Sequence, residues 1–412
     1  MLKKYEGKYM ANHVVDEARR CLNCKNPQCR EGCPIHTDIP KAIKLLLDGH
    51  LDEAGRMLFM NNPLTTVCSL VCSHENQCEG HCVLGKKGAP VQFSIIENYI
   101  SSTYSSKMVQ GPMPSNGIKV AIIGSGPAGL TIAVELARKG YQVTIFEGKD
   151  KIGGVLRYGI PEFRLTKTVL DDFEYRHLRL KGIQVRPNTT IGGAIGIDDL
   201  LRDGYRSVFI GTGVWQPNAL HIKGETLGNV HFGINYLNNP DSYHLGEKVI
   251  VIGAGNAAMD VARTAMRHGT RSLTCFSRTD GVSASNHEFE YATLEGVGFE
   301  YNKSPIEITD DGVIFADTQE DNTIISGSET LYTANSVIIS ISQGPKNRIV
   351  STTTGINTNS RGLLVADENG HTTRPGIFAS GDVVNGARTV VEAVAYSKHV
   401  ASAMDDYMLK NF

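Results

Sequence analysis

Two glycine-rich turns, each between an apolar strand and a helix, constrain the fold of this 412-residue chain more than any other feature. The first, Gly124–Gly129, follows an apolar run at 118–123 and precedes helical spacing at 127–139. The second, Gly253–Ala258, has the same flanking pattern. In a βαβ unit, such a turn lets a pyrophosphate approach the backbone at the positive N-terminus of the helix. The pair predicts an α/β fold with two Rossmann-like dinucleotide-binding domains.

The ends of the two βαβ units differ in charge. Glu147 follows the strand at 141–146, where a carboxylate can hold a ribose hydroxyl. The strand at 272–276 leads instead to Arg278, whose guanidinium would attract a 2′-phosphate. A charge-assisted hydrogen bond contributes ~1.5–3 kcal/mol, so the second turn is predicted to prefer NADP(H) to NAD(H). The alternative is that this arginine only faces solvent.

Eight of the nine cysteines lie in two quartets ahead of both turns. The first quartet has the spacing C-x2-C-x4-C-x3-C and precedes Pro34, as in bacterial ferredoxins. The second has the spacing C-x3-C-x5-C-x3-C and lacks the C-x2-C pairs typical of structural zinc. Iron–sulfur clusters are therefore favoured over zinc, and disulfides are not expected because the N-terminus lacks an export signal. The quartets are Cys21, Cys24, Cys29 and Cys33, then Cys68, Cys72, Cys78 and Cys82.

Composition and missing motifs narrow the function. A net charge of −2 does not support binding to nucleic acid or to a membrane surface. No apolar run is long enough to span a bilayer. No C-x-x-C follows residue 82, so the protein dithiol of a disulfide reductase is missing. We therefore expect a cytoplasmic protein in which electrons that enter at a nicotinamide leave through the cysteines.

Together, these motifs resemble the family of the small subunit of glutamate synthase, which includes the N-terminal half of dihydropyrimidine dehydrogenase. The resemblance covers essentially the whole chain and also rests on the segment at 153–161 and on Gly381-Asp382. It is greatest to the branch formed by the large subunits of NADH-dependent ferredoxin:NADP oxidoreductases, which are electron-bifurcating transhydrogenases. Many members carry Arg-Arg where this chain has Arg278-Thr279, which weakens the predicted preference for NADP.

The resemblance implies FAD at the first turn and NAD(P)H at the second. It implies a small helical domain with two [4Fe–4S] clusters at 1–112, an FAD-binding domain split between 113–218 and 343–412, and an inserted NAD(P)H-binding domain at 219–342. The predicted cofactor-binding residues are Gly124, Gly126, Pro127, Ala128, Gly129, Glu147, Gly154, Leu156, Arg157, Gly211, Thr212, Gly213, Gly253, Gly255, Asn256, Ala257, Arg278, Gly344, Gly381, Asp382 and Thr389.

The resemblance also implies which residues hold each cluster. The ligands expected for the first cluster are Cys21, Cys24, Cys29 and Cys82. Those expected for the second cluster are Cys33, Cys72, Cys78 and Glu97. This assignment leaves Cys68 spare, although counting cysteines alone leaves it open as the last ligand. The alternative for Glu97 is an exposed carboxylate on a helix.

The predicted activity is that of an oxidoreductase subunit that exchanges a hydride with NADP(H) at FAD and passes single electrons through the clusters to or from a partner subunit. The partner is expected to be a ferredoxin- and NADH-linked flavoprotein or a glutamate synthase large subunit. No acid or base is required, so no catalytic residue is predicted. The alternatives are a stand-alone reductase of a small acceptor and a zinc-stabilised, nucleotide-binding scaffold.

Overall fold

The computed structural model describes residues 12–107 and 111–412 and divides into two compact units. The first contains the described residues up to Gly154, together with Phe163–Gly213 and Pro345–Phe412. The second contains Val155–Glu162 and Val214–Gly344. The boundaries differ from those predicted near residues 218 and 343. Residues 214–218 and 343–344 belong to the second unit, because residues 216–217 pair with residues 343–344 there.

The N-terminal part of the first unit is helical, as the apolar spacing before residue 112 predicts. Its helices are α1 (12–19), α2 (Gln28–Glu31), α3 (Ile39–Leu47), α4 (Leu51–Asn61), α5 (Thr65–Val71) and α6 (Phe93–Lys107), with 3₁₀ turns at His74–Asn76 and Val83–Lys86. Helices α4 and α5 pack on α6. Ile43, Leu58, Ile96 and Ile100 are buried in the core of this part. Residues 1–11 and 108–110 of the predicted helical domain lie outside the described residues.

The rest of the first unit is built on a parallel sheet. Its strands are β1 (Lys119–Ile123), β2 (Gln142–Phe146), β3 (Gln184–Arg186), β4 (Tyr205–Ile210) and β15 (Ile377–Ala379), and its helices are α7 (Pro127–Arg138), α9 (Lys167–Phe173), α10 (Ile197–Arg202), α14 (Arg348–Thr352), α15 (Asp382–Asn385) and α16 (Val390–Asn411). The strand order is β15-β4-β1-β2-β3. Four of the five residues of β1 are buried, which is typical of a strand with both faces covered. The βαβ unit predicted around Gly124–Gly129 is confirmed.

The second unit contains the other predicted βαβ unit. Its strands are β5 (Gln216–Pro217), β6 (Val230–Phe232), β7 (Lys248–Ile252), β8 (Ser272–Phe276), β9 (Gly298–Glu300), β10 (Lys303–Thr309), β11 (Gly312–Asp317), β12 (Thr330–Thr333), β13 (Ser336–Ile339) and β14 (Gln343–Gly344), and its helices are α8 (Val155–Tyr158), α11 (Gly233–Asn238), α12 (Asn256–Arg267) and α13 (Asn286–Leu294). A parallel sheet of order β6-β13-β7-β8-β9 lies beside an antiparallel sheet of order β10-β11-β12. Phe276 stacks on Phe315 between the two sheets, with ring centroids 4.0 Å apart. The predicted α/β class is confirmed.

A buried contact fixes the helical part of the first unit against the parallel-sheet part. His177 lies in a single turn of π-helix at Glu174–Leu178, a local distortion that turns its ring inward. The ring lies 4.6 Å from that of Phe59 on α4, and its Nε2 lies 3.1 Å from Ser105 Oγ on α6. Arg138 on α7 also donates to the Phe59 carbonyl oxygen at 2.9 Å. Burial lowers the pKa of His177 to about 4, so the imidazole is neutral at neutral pH.

A buried ion network between α12 and α13 yields a stability prediction. The Arg263 side chain is 7% exposed and contacts Glu288 at 2.8 Å and Glu295 at 3.0 Å. We expect Arg263→Met to lower the free energy of unfolding by about 3–5 kcal/mol, because buried carboxylates lose this cation. Arg271→Met, which removes an exposed pair with Glu247, should cost under about 1 kcal/mol. Urea unfolding of both variants measures this difference, and equal effects would contradict the prediction.

Candidate functional site

The first glycine-rich turn joins β1 to α7, and glycine is required at two of its positions. Gly124 has a φ of +97°, and a Cβ there would lie 2.6 Å from the Gly211 carbonyl oxygen. A Cβ at Gly129 would lie 2.0 Å from the Gly124 carbonyl oxygen. A Cβ at Gly126, in contrast, would meet no atom within 4 Å. The space at Gly126 is therefore where a pyrophosphate can approach the backbone and the N-terminus of α7.

Other segments predicted to bind the same cofactor lie against this turn. A Cβ added at Gly154 would lie 2.8 Å from the Gly126 Cα atom, and one at Gly381 would lie 3.0 Å from the Ala128 Cβ atom. Gly211 follows β4, which neighbours β1 in the sheet. The carboxyl ends of these parallel strands thus gather segments that are far apart in sequence. The residues brought together are Gly124, Gly126, Pro127, Ala128, Gly129, Gly154, Gly211, Thr212, Gly213, Gly381 and Asp382.

Glu147 lies at the carboxyl end of β2 with its carboxylate against the turn. One oxygen accepts hydrogen bonds from the Ser125 amide, at 2.9 Å, and from the Ser125 hydroxyl. The other accepts from the Lys149 amide at 2.7 Å. A carboxylate has about four lone-pair sites, so capacity remains for the ribose hydroxyl predicted from the sequence. The structure adds a second role for Glu147, which is to hold the turn in shape.

The N-terminus of α16 lies next to Asp382 and adds polar groups to this site. Thr389 caps the helix, since its amide donates to Glu392 Oε2 at 3.0 Å and its hydroxyl accepts from the Glu392 amide at 3.4 Å. The Arg388 amide donates to Asp382 Oδ1 at 3.2 Å. Burial raises the pKa of Asp382 to about 6. A 22-residue helix beginning here presents the positive end of its dipole to any group bound beside Asp382.

Two residues predicted for the same cofactor lie in the other compact unit. Leu156 and Arg157 belong to the short helix α8, which is grouped with the second unit, whereas Gly154 belongs to the first. Leu156 is buried and Arg157 is half-buried. The chain therefore passes from one unit to the other immediately after Gly154.

The second turn, at Gly253–Ala258, joins β7 to α12 and is covered by a serine-rich segment. A Cβ at Gly253 would lie 2.2 Å from the Ser340 carbonyl oxygen. The Ser283 amide donates to the Ala254 carbonyl oxygen at 3.0 Å, and Asn256 Oδ1 accepts from the Ser285 amide at 2.8 Å. Residues 283–285 thereby hold the turn that contains the predicted ligands Gly255, Asn256 and Ala257.

Arg278 has a fixed main chain and an exposed side chain. Its carbonyl oxygen accepts from Thr318 Oγ1 at 2.9 Å, and the neighbouring Thr279 carbonyl oxygen accepts from the Asn302 amide at 3.1 Å. The side chain follows β8, whose carboxyl end lies beside that of β7. Gly344, also predicted to bind cofactor, lies in β14 and pairs with Gln216.

The cysteines of the helical part form two groups. In the first, Cys21, Cys24, Cys29 and Cys82 are neighbours whose charges act on one another. These four, together with Cys78, line a small space whose other walls are mostly apolar. Burial, followed by repulsion from Cys82, raises the pKa of Cys29 to about 11. Four thiolates here would therefore need the compensating positive charge of metal ions.

In the second group, Cys78 lies near Cys33 and Glu97, and Cys72 lies near Cys68, Glu97 and Cys78. Glu97 is buried on α6 rather than exposed, and its Oε1 accepts from the Thr65 hydroxyl at 2.6 Å. Burial raises the pKa of Glu97 to about 7. All nine cysteines are free thiols. No three His, Cys, Asp or Glu side chains among residues 12–107 and 111–412 converge as ligands of a single metal ion.

Comparison with known proteins identifies the fold and the two parts of the chain. The model of the pyridine nucleotide-disulphide oxidoreductase family matches residues 118–397. The chain belongs to this family. Residues 1–109 match the 4Fe–4S domain described as dihydropyrimidine dehydrogenase domain II.

Two relatives of known name align with nearly the whole length of this chain. The chain is 32% identical over 431 residues to the glutamate synthase (NADPH) small chain of Escherichia coli K12, covering 95% of this chain and 91% of the relative. It is 31% identical over 403 residues to the NAD-dependent dihydropyrimidine dehydrogenase subunit PreT of Salmonella typhimurium, covering 96% and 94%. The predicted membership of the glutamate synthase small-subunit-like family is confirmed.

Solved structures show the same fold. FprA from Mycobacterium tuberculosis, with a TM-score of 0.60 and 16% identity, covers 72% of this chain and 85% of its own. Thioredoxin reductase from T. acidophilum, with a TM-score of 0.55 and 20% identity, covers 71% and 98%.

Membership of the pyridine nucleotide-disulphide oxidoreductase family determines the chemistry in outline. The chain is an NAD(P)H-dependent oxidoreductase that uses FAD and contains an iron–sulfur domain. The residues present fit these groups, since the space at Gly126 admits a pyrophosphate and the cysteines of both groups are free thiols. No helix among residues 12–107 and 111–412 is long and apolar enough to cross a bilayer.

The sequence analysis did not identify the residues that hold the two glycine-rich turns and Glu97 in place. Ser125 connects Glu147 to the first turn, Ser283 and Ser285 hold the second turn, and Thr65 orients Glu97. A serine inside a Gly-x-Gly turn and a serine-rich segment after β8 were the available signals. Neither motif identifies the partner of its hydroxyl or amide, because those contacts connect distant parts of the chain.

Proposed function

We propose that this chain is the NADP(H)-linked electron-transfer subunit of a heteromeric enzyme, with FAD at Gly124–Gly129 and two [4Fe–4S] clusters on the cysteine groups. The observation that carries the proposal is that the first turn and both cysteine groups lie in one compact unit. Bound FAD supplies the exchange between a two-electron hydride and single electrons. The chain itself would position these groups.

The neighbours of each cysteine support the ligand sets implied by the family. One group contains Cys21, Cys24, Cys29 and Cys82, and the other contains Cys33, Cys72, Cys78 and Glu97. We assign Cys68 outside the second set, because it lies within hydrogen-bonding reach of Cys72 one helical turn away. Two ligands of one cubane bind different irons and lie farther apart than that.

The packing of α16 supports an order for the electron path. This helix packs on α7, which follows the first turn, and on α5, which leads to Cys72. Lys398 of α16 also donates to the Asn61 carbonyl oxygen at 2.5 Å. The residues of the second group would therefore hold the cluster nearer to the flavin, and those of the first group would hold the cluster toward a partner.

We propose that this complex is a ferredoxin- and NADH-linked transhydrogenase. Two of the relatives named above are a small chain and a subunit, which supports a partner in either case. A second candidate function is that of a glutamate synthase small subunit, which the printed names of several relatives favour. Affinity purification from the native host, followed by mass spectrometry, separates these functions by the chain that co-purifies. A fully active, isolated monomer would overturn the complex.

Arg278 yields a prediction on coenzyme preference. We expect Arg278→Gln to raise the KM for NADPH about tenfold to a hundredfold and to leave the KM for NADH unchanged, because a charge-assisted contact to the 2′-phosphate is lost. Arg271→Gln, which changes an exposed arginine just before β8, is the matched control. Steady-state reduction of a dye with each coenzyme measures the effect. Equal KM values for NADPH in wild type and Arg278→Gln would show that this arginine only faces solvent.

The proposal as a whole is tested by anaerobic reduction of the purified protein with NADPH and, separately, with NADH. Flavin and cluster absorbance are followed in the same sample. Fast bleaching of both chromophores by NADPH is expected. Faster bleaching by NADH would reverse the coenzyme assignment, and flavin reduction without cluster reduction would overturn the electron path.

A further inference from the structure

The first unit contains a cleft that the proposed electron path does not use. It lies where α4, α5 and α6 meet α9 and the π-helical turn, and its volume is about 200 Å³. An engineered cavity of about 150 Å³ binds benzene, so this cleft has room for a single-ring compound. Its walls include Phe59, Thr65, Ser101, Ser102, Asp172 and His177.

Aromatic rings form much of the apolar surface of the cleft. The centroids of the Phe59 and Phe173 rings lie 4.6 Å and 5.0 Å from that of the His177 ring. Leu64 and Val169 add aliphatic surface to the walls. Aromatic side chains favour another flat ring as a neighbour, in an offset or edge-on arrangement. A ligand with one aromatic ring therefore suits this surface.

Three hydroxyl groups in the walls already donate their protons to the protein. Ser102 Oγ donates to the Asn98 carbonyl oxygen at 2.6 Å, and Ser101 Oγ donates to the same oxygen at 3.4 Å. Thr65 Oγ1 donates to Glu97 Oε1 at 2.6 Å. A hydroxyl has one proton and two lone pairs, so each of these oxygens can only accept a further hydrogen bond. The cleft thus favours a ligand that donates hydrogen bonds.

His177 adds a fourth acceptor. Ser105 Oγ donates to Asp172 Oδ2 at 3.4 Å, so it accepts from the Nε2–H group of His177 at 3.1 Å. Since the imidazole is neutral, its Nδ1 carries no proton and can only accept. This nitrogen is buried and has no hydrogen-bond partner among residues 12–107 and 111–412. A buried acceptor without a donor is unfavourable, and a ligand that supplies the donor removes that cost.

The charges around the cleft disfavour an ionic ligand. In the described part of the chain, no Lys or Arg lines it, so an anion would find no cation there. The one carboxylate among the lining residues, Asp172, is already paired with Arg176 Nε at 2.5 Å. The Arg138 guanidinium lies 4.5 Å from the centroid of the Phe59 ring, so a cation would be repelled. A neutral ligand is therefore favoured.

We infer that this cleft binds a neutral, single-ring phenol, whose ring packs on Phe59 and Phe173 and whose hydroxyl group donates to His177 Nδ1. The inference goes beyond the proposed function and does not depend on which coenzyme or partner the chain uses. The π-helical turn that carries His177 supports it, because such turns are frequent at functional sites. The competing explanation is that His177 serves only to hold the helical part against the parallel-sheet part.

The test is titration of the holoprotein with para-fluorophenol, followed by fluorine NMR. Three probes of similar size replace the hydroxyl group: para-fluoroanisole cannot donate, para-fluorobenzoate is an anion and para-fluorobenzylamine is a cation. Thr66→Phe fills the cleft, since Thr66 lines it and is half-buried. His177→Phe keeps an aromatic ring but removes both nitrogen atoms. His371→Phe, which changes a histidine of the same unit that does not line the cleft, is the control.

We expect para-fluorophenol to bind wild type about threefold to tenfold more tightly than the other three probes, because it gains one hydrogen bond to a buried acceptor. His177→Phe should bind para-fluorophenol and para-fluoroanisole equally, since the acceptor is lost and the ring remains. Thr66→Phe should weaken the binding of both probes at least about tenfold, because its side chain occupies their space. His371→Phe should match wild type within about twofold.

Equal binding of para-fluorophenol and para-fluoroanisole by wild type, tighter binding of either ion, or no saturable binding would overturn the inference. Unchanged binding by Thr66→Phe would also overturn it, because the ligand would then lie elsewhere. Circular dichroism checks that each variant folds, and Val169→Phe, which fills the cleft from α9, replaces Thr66→Phe if that variant does not. The proposed function stands or falls separately, by the anaerobic reduction with NADPH.

Discussion

Gly126→Ala is expected to weaken FAD binding about tenfold to a hundredfold while the apoprotein folds normally. A Cβ at this position meets no protein atom within 4 Å and the backbone φ is −71°, so alanine is compatible with the fold. The methyl group would occupy the space through which the pyrophosphate approaches the N-terminus of α7. Overpacking of this kind costs about 1–3 kcal/mol, which gives that range of affinity. Titration of apoprotein with FAD, followed by flavin fluorescence, measures the change.

Gly129→Ala is the matched variant, and it is expected to impair folding rather than FAD binding alone. Its Cβ would lie 2.0 Å from the Gly124 carbonyl oxygen, and main-chain atoms cannot move away as a side chain can. We expect it to lower the free energy of unfolding by at least about 4 kcal/mol or to prevent folding. Circular dichroism and urea unfolding separate the two variants. If Gly126→Ala bound FAD as wild type does, the flavin would not lie on this turn.

Under the proposal of two clusters, Cys78→Ala is expected to remove one of them and about half of the bound iron. Cys78 is buried near Cys33 and Glu97, where it is a proposed ligand of the second cluster. Ligands supply much of the stability of such a centre, and loss of one usually releases the metal. Iron analysis and electron paramagnetic resonance of the reduced protein measure the loss. Reduction of the flavin by NADPH should persist, while transfer to a protein acceptor should fall below about a tenth of wild type.

Two further variants decide the last ligand of the second cluster. Glu97→Ala should lose the same cluster, and Cys68→Ala should keep it, because Cys68 contacts Cys72 rather than completing the set. Cys275→Ala is the control, since Cys275 is buried in β8 of the second unit and its loss should leave iron unchanged. If Cys68→Ala lost iron and Glu97→Ala retained it, Cys68 would be the last ligand of the second cluster and Glu97 would not.

Several elements could be predicted from sequence because their signals are local. The strand and helix around Gly124–Gly129 follow from an apolar run, a glycine-rich turn and helical spacing, and they were found at 119–123 and 127–138. The same holds for the second turn, whose following strand was predicted at its observed bounds of 272–276. The cysteine spacing predicted iron–sulfur chemistry, and a family match to residues 1–109 supports it.

The sequence by itself determined the fold class, the two nucleotide turns and the kind of metal centre, because each depends on short patterns of glycine, cysteine and apolar residues. Only the tertiary structure decided that Glu97 is buried beside Thr65, that Ser125 holds Glu147, and that residues 155–162 join the second unit. These facts depend on contacts between residues far apart along the chain. A hydrogen bond or a buried charge leaves no periodic signal, since its free energy depends on which distant segment packs against it.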